Sequence, residues 1–301
     1  MSKPRVAIMG LGLMGMGMAG RLLSAGLPLT VYNRNRAKAQ VFAKAGAFVA
    51  STPREAAARS EVVISMVADD VASRAVWLGE EGALAGAAAG LVLIESSTLT
   101  VKWIRELAVA AGQRGCELLD APVTGSKPQA ASGELLFLVG GSEKALAAAR
   151  PVLSVLGRDT IHFGPTGSGA VMKLINNFMA GVQVASFAEG LALIDRCGLD
   201  RQKAMAVLTE GVPGSPMVKR VAAKVTSGDF TPNFMLRLMA KDLGYAVEEG
   251  QRYGVAVQTA AAALALFKDA VAKGYGDEDF SAVAKALAPR SSGTPKKIKS
   301  A

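Results

Sequence analysis

A chain of 301 residues, half of them hydrophobic, has the length for one large domain or two ordinary ones and the apolar content for a substantial core. Its formal charge of +9 suggests an anionic partner, but Arg290, Lys296, Lys297 and Lys299 crowd the end "PRSSGTPKKIKSA" and leave about +5 elsewhere, scattered among acids without aromatic interleaving, which argues against nucleic-acid binding. The single histidine, His162, excludes a two-histidine metal site and leaves only one residue through which a Ser-His-Asp triad could run, so no metal is expected.

The first short apolar run, "RVAIMG", reads as a strand, and "GMGMAGRLLSAG" after it has helical spacing. The alternation continues with "PLTVYNR" then "AKAQVFAKAG", "EVVISMV" then "VASRAVW", and "LVLIESS" then "VKWIRELAVAAG". Strands alternating with helices predict a parallel, doubly wound α/β sheet covered on both faces. "CELLDAPV" and "ELLFLVGG" come without a long helix between them, so they can pair differently and extend the sheet edge. "DTIHFG" closes the series, with His162 expected to be structural.

After "FGPTGSG" only helical periods remain. A long apolar helix runs to about Cys197, followed by "RQKAMAVLTEG", "SPMVKRVAAKV", "FMLRLMAKDLGYAVEEGQRYG" and "AVQTAAAALALFKDAVAKG". "DEDFSAVAKAL" opens with acids suited to a helix N-terminus. The expected organisation is an α/β domain over 1–164, an all-α domain over 165–289 and a disordered basic tail over 290–301.

Cys116 and Cys197 form no metal-spaced or redox pair and are expected to be packed thiols of a reducing cytoplasm. "MSKPRVAIMGLG" enters its strand with no signal-peptide region. The greasiest stretch, Ala170 to Ile194, is broken by Lys173, Asn176, Asn177, Gln183 and Glu189, so no membrane span is expected. A cytoplasmic protein without membrane or nucleic-acid partners is the expectation.

Gly10, Gly12 and Gly15 have G-x-G-x-x-G spacing, after the first strand and at the opening of the first helix. That context predicts a Rossmann-like dinucleotide site, with Leu11, Leu13 and Met14 completing the loop and the helix N-terminus facing a pyrophosphate. An NAD site would place an acid about 20 residues on; here "VYNRNR" supplies Asn33, Arg34, Asn35 and Arg36 instead. A guanidinium can grip a 2′-phosphate that a carboxylate would repel, so NADP(H) is predicted, with Arg34 as the main contact.

The helix "GSGAVMKLINNFMAG" raises a separate question, because it sets Lys173 and Asn177 four apart among Val171, Met172, Leu174, Ile175, Phe178 and Met179. Four residues apart on a helix is one face. The lysine is either a buried stem with a snorkelling head or an amine working in an apolar wall that disfavours its charge.

Four stretches, in order, resemble the β-hydroxyacid dehydrogenase family, which includes 3-hydroxyisobutyrate dehydrogenase and glyoxylate/succinic-semialdehyde reductase. They are "GLGLMG", "DAPVTGSKPQAASG", "GPTGSGAVMKLINN" and "KDL" at Lys241 to Leu243, and the resemblance spans about residues 5 to 289. It implies a Rossmann-like domain, an all-helical C-terminal domain and a homodimer or homotetramer. It also implies Lys173 as general acid/base and Asn177 as substrate-orienting, with Thr98, Thr124, Gly125 and Ser126 holding a small anionic aldehyde or hydroxyacid. Met66 and Val67 match the loop over the cofactor, Thr98 a position near the nicotinamide, and Lys241 a cofactor-proximal lysine. "PVTGS" departs from the family's usual "PVSGG", and the chain looks most similar to the NADPH-dependent glyoxylate/succinic-semialdehyde reductase branch. The alternatives are a 3-hydroxyisobutyrate-type dehydrogenase working oxidatively and a non-catalytic relative that keeps the fold for assembly. Lys127 and Arg237 could bind an anionic substrate or be ordinary surface residues.

Overall fold

The computed structural model describes residues 3–288 and divides into two compact units, with the division between Lys173 and Leu174. The expected basic tail lies outside the described residues. The first unit contains β1 (Val6–Met9), α1 (Leu13–Ser24), β2 (Leu29–Tyr32), α2 (Arg36–Ala43), β3 (Phe48–Val49), α3 (Pro53–Ala58), β4 (Val62–Ser65), α4 (Asp70–Trp77) and α5 (Ala83–Gly86). It continues with β5 (Val92–Glu95), α6 (Val101–Gly112), β6 (Glu117–Asp120), β7 (Val123–Thr124), α7 (Lys127–Ser132), β8 (Leu135–Gly140), α8 (Glu143–Leu156) and β9 (Gly157–Gly164). The helix α9 (Ser168–Cys197) begins here and runs on into the second unit.

The nine strands form one sheet in the order β3-β2-β1-β4-β5-β6-β8-β7, with β9 also paired to β8. From β3 to β6 along that order the strands are parallel, as the alternation predicts; β8 runs antiparallel to β6 and to β7, which is the altered pairing expected for the two runs lacking a long helix between them. β1, β4 and β5 are buried along their whole length, which is why they read as continuous apolar runs rather than alternating ones. Thr52, Asp69, Thr100 and Ser142 cap their helices by accepting from N–H groups of the first turn. His162 sits on β9 with its Nε2 2.8 Å from the Gly141 carbonyl, the structural part expected of it.

The second unit is helical among the described residues: the rest of α9, then α10 (Arg201–Glu210), α11 (Pro216–Ser227), α12 (Leu236–Arg252), α13 (Gln258–Ala270) and α14 (Val283–Leu287). Val184, Phe187 and Leu191 of α9 share a core with Val221, Leu236, Met239, Leu243, Phe267 and Phe280. By length and composition α9 could cross a membrane despite its five polar interruptions, yet one side of it is buried in this core. Cys116 is buried as expected; Cys197, the last residue of α9, is exposed and corrects the expectation of two packed thiols.

Candidate active site

The sheet order reverses at β1, which pairs with β2 on one side and β4 on the other, so the loops after β1 and β4 leave side by side. Gly10 turns the chain at φ +97°, and a Cβ there would lie 2.2 Å from the Met66 carbonyl oxygen. A Cβ at Gly15 would lie 1.9 Å from the Gly10 carbonyl oxygen. Backbone fills both places, so only glycine fits. Gly12 differs, because a Cβ there would meet nothing within 4 Å, and no side chain caps α1. An uncapped helix N-terminus facing open space, with buried Leu11 behind it and Leu13 and Met14 opening the helix, fits a dinucleotide pyrophosphate.

The residues after β2 divide their work. Leu11 N–H donates to Asn33 Oδ1 (2.8 Å), and Asn33 Nδ2 donates to the Asn35 carbonyl (2.8 Å), so Asn33 fastens the glycine loop to the β2 turn. Asn35 caps α2 by accepting from Ala37 N–H. Arg36 reaches only a long contact to Ser51 Oγ (3.5 Å), and Arg34 is exposed with no hydrogen-bond or ion-pair partner among the described residues. The two arginines are therefore the side chains free to meet a phosphate here. Met66 N–H donates to the Met9 carbonyl, and Val67 N–H donates to Ser97 Oγ (2.8 Å) in the loop that leads to half-buried Thr98.

Thr124 ends β7, and Gly125 and Ser126 follow it ahead of α7. Gly125 takes φ +112°, a conformation that favours glycine. Gln129 Oε1 accepts from both the N–H and the hydroxyl of Ser126 (2.9 and 3.0 Å), so both Ser126 donors are engaged within the loop. α7 crosses α1 closely: a Cβ at Gly17 would lie 2.9 Å from Ala131 N. α7, into which the loop leads, is thereby packed against the helix that follows the glycine turn.

Sequence reasoning passed over Asp120, at the end of β6. Its fully buried carboxylate accepts from Gly167 N–H through Oδ1 and from Ala170 N–H through Oδ2, both at 2.8 Å, and so caps α9. Lys173 follows one turn later, 9% exposed. Burial pushes the Asp120 carboxyl up to about 6, against the pull of the Gly167 and Ala170 N–H groups. A folded-state value above the ordinary one means that the fold favours the protonated acid. The associated stabilisation is complete below about pH 4 and is lost as pH rises through about 6, on the order of 3 kcal/mol. Denaturant unfolding of wild type and Asp120→Asn should therefore show a stability difference that changes by that amount between pH 4 and 7; a pH-independent difference contradicts the assignment.

Asn177, 5% exposed, lies one turn beyond Lys173 on the same helix. In the second unit its Nδ2 donates to Asp242 Oδ2 (2.5 Å), and its Oδ1 accepts from Asn176 Nδ2 (2.9 Å). Lys241 Nζ forms an ion pair with Asp242 Oδ1 at 3.0 Å and lies 4.8 Å from the centre of the Tyr245 ring. Asp242 is the second acid that sequence reasoning missed, although "KDL" had drawn attention to its neighbour. Arg237 already donates to Asp277 Oδ1 (2.7 Å), whereas Lys127 is exposed. No cluster of three metal-ligating side chains exists among the described residues.

A family model described as the NAD binding domain of 6-phosphogluconate dehydrogenase matches residues 5–164, and one described as NAD-binding of NADP-dependent 3-hydroxyisobutyrate dehydrogenase matches residues 167–287. An NAD-dependent L-serine dehydrogenase of Pseudomonas aeruginosa is 35% identical over 95% of this chain and 98% of its own length. The chloroplastic glyoxylate/succinic semialdehyde reductase 2 of Arabidopsis thaliana is 34% identical over 94% of this chain and 79% of its own. A solved 3-hydroxyisobutyrate dehydrogenase from Salmonella typhimurium is similar with a TM-score of 0.85 and 32% identity, covering 93% of this chain and 99% of its own.

Proposed function

The chain belongs to the β-hydroxyacid dehydrogenase family, and on that premise we propose that it is an NADPH-dependent reductase of small aldehyde acids, glyoxylate or succinic semialdehyde among them, to hydroxyacids. The observation that carries the reading is the buried Lys173 with Asn177 one turn away, on a helix whose start is pinned by Asp120. The N–H groups at Gly10 to Gly15 would hold the pyrophosphate, Arg34 and Arg36 the 2′-phosphate, and Met66, Val67 and Thr98 the nicotinamide half, with Lys241 the cofactor-proximal lysine of the family resemblance. When bound, that cofactor supplies the hydride to the carbonyl carbon. Lys173, as ammonium, stabilises the charge that develops on the carbonyl oxygen and donates its proton there; as amine it takes the proton back in the reverse direction. Asn177 orients the substrate, and backbone donors of the Thr124–Gly125 turn hold its carboxylate. Thr98 and Ser126 are the other substrate contacts of the first unit, Ser126 as an acceptor because its donors serve Gln129.

Steady-state kinetics with NADPH and NADH over glyoxylate and succinic, tartronate and methylmalonate semialdehydes test this reading. The highest specificity constant is expected for an aldehyde acid with NADPH. Arg34→Ala should raise the Michaelis constant for NADPH roughly tenfold to a hundredfold, the worth of a charge-assisted contact, and leave NADH unaffected. A preference for NADH, or no change in Arg34→Ala, would overturn the cofactor assignment. The L-serine dehydrogenase relative favours a second reading, oxidation of a 3-hydroxyacid, which a higher specificity constant for L-serine than for any aldehyde would establish. The proposal includes a homodimer or homotetramer in the cytoplasm, without membrane or nucleic-acid partners; a single monomeric species in light scattering would exclude the assembly.

A further inference from the structure

Glu95, the last residue of β5, is a carboxylate wholly removed from water, and none of its three hydrogen-bond partners is a cation. Trp77 Nε1 donates to its Oε2 (2.7 Å), as does the Ser73 hydroxyl (2.6 Å). Trp103 Nε1 in turn donates to Ser73 Oγ (2.8 Å), which commits the Ser73 proton to Glu95. On the other side Ser97 N–H donates to Glu95 Oε1 (2.9 Å), and Ser97 Oγ accepts from Val67 N–H (2.8 Å). One uninterrupted chain of hydrogen bonds thus runs from two tryptophans in α4 and α6, through a single carboxylate, to the loops after β5 and β4. A buried anion costs folding free energy that an apolar side chain would not, so its presence calls for a role.

We propose that Glu95 is a positioning residue of the cofactor site, holding the Ser97–Thr98 and Met66–Val67 loops in register with each other through Ser97. The inference rests on the dinucleotide reading of the glycine loop. It follows from what the partners are. All three donate to Glu95, so only a group with two acceptor oxygens and no donor satisfies them together. Glutamine keeps the shape and loses this property. Its amide nitrogen must face either Ser97 N–H or Trp77 N–H, donor against donor. Burial raises the Glu95 carboxyl above the ordinary carboxylate range while the Ser73, Ser97 and Trp77 donors pull it back. The chain has two tryptophans, and both belong to this network, so their emission reports on it.

The test is a titration of the full-length protein with NADP+, which does not absorb tryptophan emission, followed by calorimetry and by tryptophan fluorescence. It is run on wild type, Glu95→Gln, Ser97→Ala and the double variant. Glu95→Gln should weaken binding roughly tenfold and change the emission of the free protein. Ser97→Ala should weaken binding by a similar factor while leaving the free-protein emission unchanged. The double variant should bind no worse than the weaker single one, because both act along one path. Multiplying losses in the double variant, or an unchanged dissociation constant in Ser97→Ala, would overturn the role even if Glu95→Gln folds poorly. Wild type that bound neither NADP+ nor NAD+ would instead overturn the dinucleotide reading, and this inference with it.

Discussion

Lys173→Ala is expected to lower turnover by roughly a thousandfold while cofactor affinity and the unfolding midpoint stay close to wild type. General acid catalysis by a placed side chain contributes about 10²–10⁴-fold, and loss of an ammonium that stabilises a developing oxyanion adds to this. Folding should tolerate the change, because alanine is the best helix former and α9 keeps its cap at Asp120. The loss should fall on kcat rather than on the cofactor Michaelis constant, since the proposed contact strengthens as charge appears on the carbonyl oxygen. Lys173→Arg should recover little. Guanidinium keeps the charge but does not give up its proton near neutral pH. Near-normal turnover in Lys173→Ala would leave the snorkelling-lysine reading standing.

The second large effect separates three glycines of one motif. Gly10→Ala and Gly15→Ala should each lose stability and weaken cofactor binding by roughly ten- to a hundredfold, because the new methyl overlaps backbone oxygens at 2.2 and 1.9 Å, and Gly10 also needs a positive φ. Gly12→Ala should leave the unfolding midpoint unchanged, since nothing lies within 4 Å of its Cβ, and still weaken binding, because the cofactor would use that space. Thermal unfolding and a cofactor titration on the three variants make the comparison. Equal destabilisation in all three, or full affinity in Gly12→Ala, would contradict the placement of the pyrophosphate.

The sheet was legible because its central strands are buried on both faces and so read as unbroken apolar runs, each followed by a helical period. β3 was not, because two residues at the sheet edge, Phe48 exposed and Val49 half-buried, leave no run to read. α8 went unremarked although its buried face is regular, since it lies between two apolar strands and carries Pro151 inside the helix. The glycine spacing marked the cradle directly, and Lys173 with Asn177 stood out as polar side chains in an apolar helix. Asp120, Asp242 and Glu95 did not stand out. Each is a lone acid whose partners come from distant positions: Gly167 and Ala170 for Asp120, Asn177 for Asp242, and Ser73 and Trp77 for Glu95. No spacing rule joins such residues, and only the fold brings them together. Asn33 and Asn35 show the converse, for their side chains serve the glycine loop and the α2 cap as well as any ligand.

The most direct measurement is a solved complex of this chain with NADP+ and the hydroxyacid of its best substrate. An amine that hands its proton to the carbonyl should be found with Nζ of Lys173 within about 3.2 Å of the oxygen born of that carbonyl. Finding the amine turned out into bulk water, with another group on that oxygen, would leave the fold standing and remove the chemistry.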